Sequence, residues 1–152
     1  MATVYLVCDL SGSMAESGKR FIVRNLIRTV DQFYRLQRLK PEIKLVAWSE
    51  ETIVAKWEPG QEVPDAILSC SGSASGESLV GKLGSPSDGY YMLLTDGYWD
   101  IATRKRIGAW SREMQLGHFR IVKVGEDADP RLKGPSVFAA EDLLAALKGW
   151  VV

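Results

Sequence analysis

Short, mainly apolar runs alternate along the chain with longer segments in which apolar residues recur at helical spacing. Three of the short runs, at residues 4–8, 90–94 and 119–124, have the length typical of strands buried in a sheet. Residues 137–138 predict a further short edge strand. The strands are therefore expected along the whole chain rather than in one part of it.

The longer segments predict helices between these strands. They span about residues 19–39, 78–83, 101–114 and 141–147, with a short helical turn at 63–68. The first is the longest and the most clearly amphipathic, and Pro41 marks its end.

Residues 44–48 and 52–57 predict two strands joined by Ser49, Glu50 and Glu51. A connection this short cannot make a parallel crossover, so the two strands are expected to form an antiparallel hairpin. The second strand is expected to be the antiparallel edge strand of the sheet, and Pro59 and Gly60 mark its end.

Alternating strands and helices predict an α/β fold with three layers. We expect a Rossmann-like, mostly parallel central sheet of about six strands, with one antiparallel edge strand and helices on both faces. No repeat, linker or change of composition divides the chain, so residues 1–152 are predicted to form a single domain.

Composition and charge exclude several classes of partner. Lys plus Arg equals Asp plus Glu, at 19 each in 152 residues, so no net charge attracts nucleic acid or a membrane surface. No apolar run approaches the roughly 20 residues of a membrane span. The N-terminus lacks the pattern of a secretory signal peptide, which predicts a cytoplasmic location.

The first predicted strand is followed directly by three oxygen-bearing side chains, Asp9, Ser11 and Ser13. Gly12 between the two serines allows the loop to turn so that all three face one point. One carboxylate and two hydroxyls, with water, suit a small hard cation such as Mg2+ or Mn2+. The alternative, a purely structural role, is that Asp9 and Ser11 only cap the following helix.

A second apolar strand ends in the same way, at Thr95, Asp96 and Gly97. In a parallel sheet, strands deliver their carboxyl ends to the same edge, where ligands bind at the point at which strand order reverses. Asp9 and Asp96 are therefore expected to share one metal site.

These two segments resemble the Asp-x-Ser-x-Ser and Thr-Asp-Gly motifs of von Willebrand factor type A (vWA) domains, and the likeness covers nearly the whole chain. Within that family, the chain is similar to small stand-alone bacterial proteins, including those associated with tellurium-resistance genes. The resemblance implies a metal-ion-dependent adhesion site (MIDAS), where a bound cation recruits an acidic residue of a protein partner.

The resemblance also implies a third ligand in the loop at residues 73–81, where the family uses a threonine. Aligning Gly81 with a family glycine assigns that position to Ser78, whereas aligning Leu83 with a family leucine assigns it to Glu77. Ser78 is preferred. The choice matters physically, because a hydroxyl ligand would leave the cation receptive to a partner's carboxylate, whereas Glu77 would satisfy much of its charge.

Two aromatic residues, Tyr98 and Trp99, follow Asp96 and Gly97 at the expected rim of the metal site. They either contact a partner or pack against their own loop.

Two functions remain open. The preferred one is a non-catalytic, metal-dependent protein-binding module. The alternative is a Mg2+-dependent phosphotransferase or phosphatase with Asp9 as nucleophile, but Ser11 stands where that chemistry would place a second acid.

Overall fold

A computed structural model describes residues 2–84 and 89–151 of the chain. In this part the chain forms a single six-stranded sheet in the order β3-β2-β1-β4-β5-β6. The strands are β1 (Thr3–Asp9), β2 (Glu42–Trp48), β3 (Thr52–Val54), β4 (Gly89–Thr95), β5 (Phe119–Lys123) and β6 (Val137–Ala139). All neighbouring pairs are parallel except β2 and β3. The predicted mostly parallel sheet with one antiparallel edge strand is confirmed.

In the described part of the chain, four α-helices cover the two faces of the sheet. They are α1 (Lys19–Arg35), α2 (Gly76–Leu83), α3 (Ile101–Glu113) and α4 (Leu143–Leu147). The helices α1 and α4 bury their apolar side chains in one core with Leu6 and Cys8 of β1. The helices α2 and α3 pack in a second core with Val7 of the same strand. Successive side chains of β1 therefore pack into opposite layers, as expected for a sheet that is covered on both faces.

The structure corrects three predicted boundaries. The helix α1 ends at Arg35 rather than near residue 39, since Leu36 and Leu39 are exposed and offer the core nothing to bury. The strand β3 ends at Val54 rather than at residue 57. The helix α2 begins at Gly76, two residues earlier than predicted, because the hydroxyl of Ser75 accepts a hydrogen bond from the amide of Ser78 and caps it.

The strand order reverses between β1 and β4, whose carboxyl ends lie side by side. This is the place where open α/β sheets form ligand sites. Both ends of the described chain lie at the amino ends of the strands, opposite these carboxyl ends. There, the carbonyl of Ala2 accepts a hydrogen bond from the amide of Glu42, and the indole of Trp150 donates one to the carbonyl of Gly117, just before β5.

No helix among the described residues combines the length and apolar character needed to span a bilayer.

Candidate functional site

Asp9 is the last residue of β1, and its carboxylate is almost fully buried. One oxygen accepts a hydrogen bond from the amide of Ser11 at 2.9 Å, and the other accepts one from the hydroxyl of Thr95 at 2.6 Å. Burial raises the pKa of Asp9, while the hydrogen bonds from Thr95 and Ser11 lower it, and the net direction is upward. A positively charged ligand beside this carboxylate would offset the cost of burying its charge.

Ser11 and Ser13 lie in the turn that follows β1, and their hydroxyl oxygens are 3.4 Å apart. A single turn of 3-10 helix, Gly12–Ala15, brings them together. The hydroxyl of Ser11 makes no capping hydrogen bond, and the residue that precedes α1 is Gly18. The interpretation of Asp9 and Ser11 as caps of the long helix is therefore wrong.

Asp96 follows β4 and is fully buried. One of its oxygens accepts a hydrogen bond from the amide of Tyr98 at 3.2 Å, and the other accepts one from the ammonium of Lys19 at 3.0 Å. The next residue, Gly97, has a φ of +81°, and a Cβ atom there would lie 2.7 Å from a methyl carbon of Leu132. Only glycine allows the chain to turn this tightly at the second aspartate.

Lys19 is a functional-site residue that the sequence analysis did not single out. Its side chain is fully buried, and its ammonium also donates to Asp127 at 3.1 Å and to the carbonyl of Ser13 at 3.3 Å. Burial lowers the pKa of Lys19, the hydrogen bonds to Asp96 and Asp127 raise it, and the net direction is upward. One internal cation thus ties together the loops that follow β1, β4 and β5.

The two candidates for the third ligand do not join this group. The hydroxyl of Ser78 lies 2.8 Å from that of Thr52 in β3 and donates to the carbonyl of Ser75 at 3.0 Å. The carboxylate of Glu77 is exposed and forms an ion pair with Arg106 at 3.0 Å. Because α2 begins at Gly76, both residues belong to its first turn, and neither is among the residues that line the cavity beside Ser11 and Ser13.

Another serine of the same loop, Ser73, lies beside the first loop. It lines a cavity of about 210 Å3 together with Ser11 and Ser13. Two backbone hydrogen bonds hold its loop against the first one, from the amide of Gly12 to the carbonyl of Gly72 at 2.9 Å and from the amide of Ser71 to the carbonyl of Leu10 at 2.8 Å. The Ser-Gly-Ser run was visible in the sequence, but without the start of α2 nothing distinguished its serines from one another.

The aromatic pair also lines this cavity, and its two members differ in their surroundings. Tyr98 is exposed, and its hydroxyl donates to the carbonyl of Asp127. Trp99 is half-buried, packs edge-on against Trp48 with ring centroids 5.6 Å apart, and donates from its indole to Thr95 at 3.0 Å. The ring of Tyr98 is therefore exposed at the cavity, whereas Trp99 mainly holds the loop.

The donor set suits a hard divalent cation. Three serines line the cavity together with Tyr98 and Asp100, and the carboxylates of Asp9 and Asp96 accept hydrogen bonds from the amides of two lining residues, Ser11 and Tyr98. Hydroxyl and carboxylate oxygens are ligands that Mg2+ and Mn2+ accept. Within the described residues, no three His, Cys, Asp or Glu side chains cluster as a metal site, so any cation here depends on the serines.

No protein-family model matches the sequence, and neither does any curated protein. Solved structures do match. The manganese-loaded TRAP protein of Plasmodium vivax is 12% identical over 100% of this chain and 74% of that one, with a TM-score of 0.67. Proximal thread matrix protein 1 from the mussel byssus, in a structure with a zinc-occupied MIDAS motif, is 14% identical over 97% of this chain and 45% of that one, with a TM-score of 0.63.

A von Willebrand factor type A protein from Catenulispora acidiphila is 17% identical over 98% of this chain and 40% of that one, with a TM-score of 0.58. The chain thus spans less than half the length of the mussel and Catenulispora proteins. The likeness extends over the sheet and both helical layers. The chain has the three-layer α/β fold of a von Willebrand factor type A domain.

Proposed function

We propose that this protein is a non-catalytic, metal-dependent binding module. A divalent cation, Mg2+ or Mn2+, is held by Ser11, Ser13 and Ser73 with Asp9 and Asp96 behind them, and it recruits an acidic side chain of a protein partner. The observation that carries the proposal is the shared cavity of the three hydroxyls beside two buried carboxylates. The manganese and zinc in two proteins of the same fold support a divalent cation.

The proposed cation, rather than the protein's own charges, accounts for the choice of an acidic partner. The ammonium of Lys19 already pairs with Asp96, which leaves Asp9 as the buried carboxylate near the cavity without a cation in the described structure. Asp100 also lines the cavity, but its carboxylate caps α3 through the amide of Thr103 at 2.7 Å. A doubly charged cation held largely by neutral hydroxyls would keep a coordination position open, which a partner's carboxylate can complete.

Tyr98 gives such a partner an apolar surface next to the cation. Its ring is exposed at the cavity, and the hydrogen bond from its hydroxyl to the carbonyl of Asp127 fixes its position. A single ionic contact at a wet surface contributes little by itself. An aromatic anchor beside it supplies the desolvated area that a specific interface needs.

The geometry around Asp9 does not favour the phosphotransferase alternative. Both oxygens of Asp9 accept hydrogen bonds from the protein, and the side chain is buried beneath the cavity wall. A nucleophilic carboxylate needs an open approach and a nearby acid or base. The residue two positions on is Ser11, which cannot serve as that acid.

Titration calorimetry with MnCl2 tests the metal site, with two serines of the same segment as a matched pair. Ser73→Ala should weaken Mn2+ binding by about tenfold, the effect of losing one ligand interaction of roughly 1.4 kcal/mol. Ser78→Ala should bind Mn2+ as the wild type does, because its hydroxyl is held by Thr52 and Ser75. The reverse result would restore Ser78 as the ligand. If neither substitution changed the affinity for Mn2+, the third loop would contribute no ligand.

Binding of an identified partner should then require divalent cation and be lost on chelation, on Asp9→Ala, and on neutralising one acidic residue of the partner. Equal affinity with and without chelator would overturn the proposed role of the metal. Hydrolysis of p-nitrophenyl phosphate that depends on Asp9 would instead establish the enzyme.

A further inference from the structure

A second cavity, distinct from the one lined by Ser11, Ser13 and Ser73, lies on the face of the sheet that α2 and α3 cover. The connection between the parallel strands β5 and β6, residues 124–136, contains no helix, although parallel crossovers usually carry one. The edge of the sheet beyond α3 is therefore left without a helical layer. A groove of about 550 Å3 runs there between α3 and this connection.

The floor of this groove is apolar. It is formed by side chains of α3, of the two strands and of their connection: Ile107, Met114, Phe119, Ile121, Leu132 and Val137. An apolar cavity of this size is within the range of sites that bind ligands or partner side chains.

The charged residues around the groove are all basic. Arg104, Arg112 and Lys133 line it, and no Asp or Glu does so in the part of the chain that the structure describes. Arg104 is engaged by Asp129 at 3.1 Å. Arg112 and Lys133 form no ion pair with any described residue, so their charge is available to a ligand.

Gly108, in the interior of α3, deepens the groove. Glycine is unfavourable inside a helix, so its presence calls for a reason. Packing within the protein does not supply one, because a Cβ atom at this position would meet nothing nearer than the guanidinium of Arg112 at 3.5 Å. A side chain at this position would instead fill space that a ligand can use.

We propose that this groove binds an acidic amphipathic helix of a protein partner. The bound helix supplies the layer that the β5–β6 connection lacks, with its apolar side chains on the floor and its carboxylates against Arg112 and Lys133. This site is additional to the metal-dependent one and does not need a cation. The two meet at Trp99, which lines both cavities, so one partner has room to contact both.

A labelled peptide tests the proposal directly. The probe is a synthetic helix of about 15 residues with leucines at i, i+3, i+4 and i+7 and glutamates on the other face. One control peptide carries lysine in place of glutamate, and a second scrambles the acidic sequence. Fluorescence anisotropy in excess EDTA should show the acidic helix binding at least about tenfold more tightly than either control. Equal binding of the basic or the scrambled peptide overturns the proposal.

Variants at Gly108 separate filling of the groove from loss of folding. Gly108→Met should reduce peptide binding by about tenfold or more, whereas Gly108→Ala should leave it nearly unchanged. Both should unfold at or above the wild-type temperature, since both residues favour a helix more than glycine does. Gly108→Met that is folded and still binds the peptide as the wild type does overturns the proposal.

Two further measurements identify a different occupant. Replacing Arg112 and Lys133 by glutamine should weaken the acidic peptide several-fold and reduce its dependence on salt. We expect that a medium-chain fatty acid displaces no peptide. We also expect the protein to sediment as a monomer at high concentration. Displacement by the fatty acid, or dimerisation blocked by Gly108→Met, would overturn the proposal in favour of a lipid or a second copy of the chain.

Discussion

Replacing Lys19 by methionine removes the internal cation while keeping a long unbranched side chain. That stem is closely packed, since a Cβ atom on Gly125 would lie 2.8 Å from its ε-carbon. The substitution takes away the hydrogen bonds to Asp96, Asp127 and Ser13. Asp127 is half exposed and regains water, whereas Asp96 is fully buried and keeps only the amide of Tyr98.

The expected loss is large because one buried charge stays without its partner. Breaking a buried ion pair from one side costs about 3–5 kcal/mol, against a total stability of roughly 5–15 kcal/mol for a domain. For a chain of this length, each kcal/mol shifts Tm by about 2–4 °C. We therefore expect the unfolding temperature of Lys19→Met to fall by roughly 6–20 °C, with the urea m-value unchanged.

Urea unfolding followed by circular dichroism, in EDTA and then in Mn2+, measures this loss. The double variant Lys19→Met with Asp96→Asn should recover much of the stability, because it removes the stranded charge. Mn2+ should stabilise Lys19→Met more than the wild type, since the cation then offsets an unpaired carboxylate. A loss below about 1 kcal/mol for Lys19→Met, the value of an exposed ion pair, would refute the reasoning.

The remaining predictions concern acid stability, the tight turn and the role of metal in folding. Hydrogen bonds from Arg131 hold the pKa of Asp129 well below its ordinary value of 3.8, so this pair stabilises the fold above that pH and is lost as the pH falls below it. The difference in unfolding free energy between wild type and Asp129→Asn should therefore be constant near neutral pH and become smaller below about pH 4. A difference that grows in acid would contradict the lowered pKa of Asp129. Gly97→Ala should cost at least about 1–2 kcal/mol in urea unfolding because of its positive φ and its approach to Leu132, whereas Gly81→Ala, in open space on α2, should be neutral or stabilising. Chelation should leave a cooperative thermal transition, because the two cores contain no metal ligand; a melt without a cooperative transition in EDTA would show that folding needs the ion.

The fold could be predicted because its signals are repeated along the chain. Each buried strand and each amphipathic helix has its own periodicity, and the short connection at Ser49–Glu51 excludes a parallel crossover. The ends of elements were less accurate where tertiary contacts decide them. Nothing local stops β3 at Val54, whereas in the structure Trp57 turns away and donates its indole hydrogen to the carbonyl of Gln61.

The candidate site was predictable where residues follow a strand and was not where loops fold back. Asp9 ends β1 and Asp96 directly follows β4, so the sheet itself brings them together. The choice of Ser78 depended on aligning Gly81 with a family glycine. In the structure α2 begins at Gly76, and the serine of this loop that lines the cavity is Ser73.

Lys19 was missed because a lysine at a helix start is normally solvated. Its position in the helical repeat did indicate burial, since Lys19 lies four residues before Val23 on the buried stripe of α1. A charged residue on an apolar stripe indicates a buried partner, but the partners, Asp96 and Asp127, are distant in sequence and belong to other strands' loops.

The edge of the sheet at which Ala2 and Trp150 lie has a practical consequence for handling the molecule. A surface or resin attached near either end of the described chain would hold the domain by the side opposite the serine cavity. The cavity and Tyr98 would then point into solution. Immobilised binding experiments can therefore use a tag at either end, and a genuine partner of that cavity should bind equally well to both preparations.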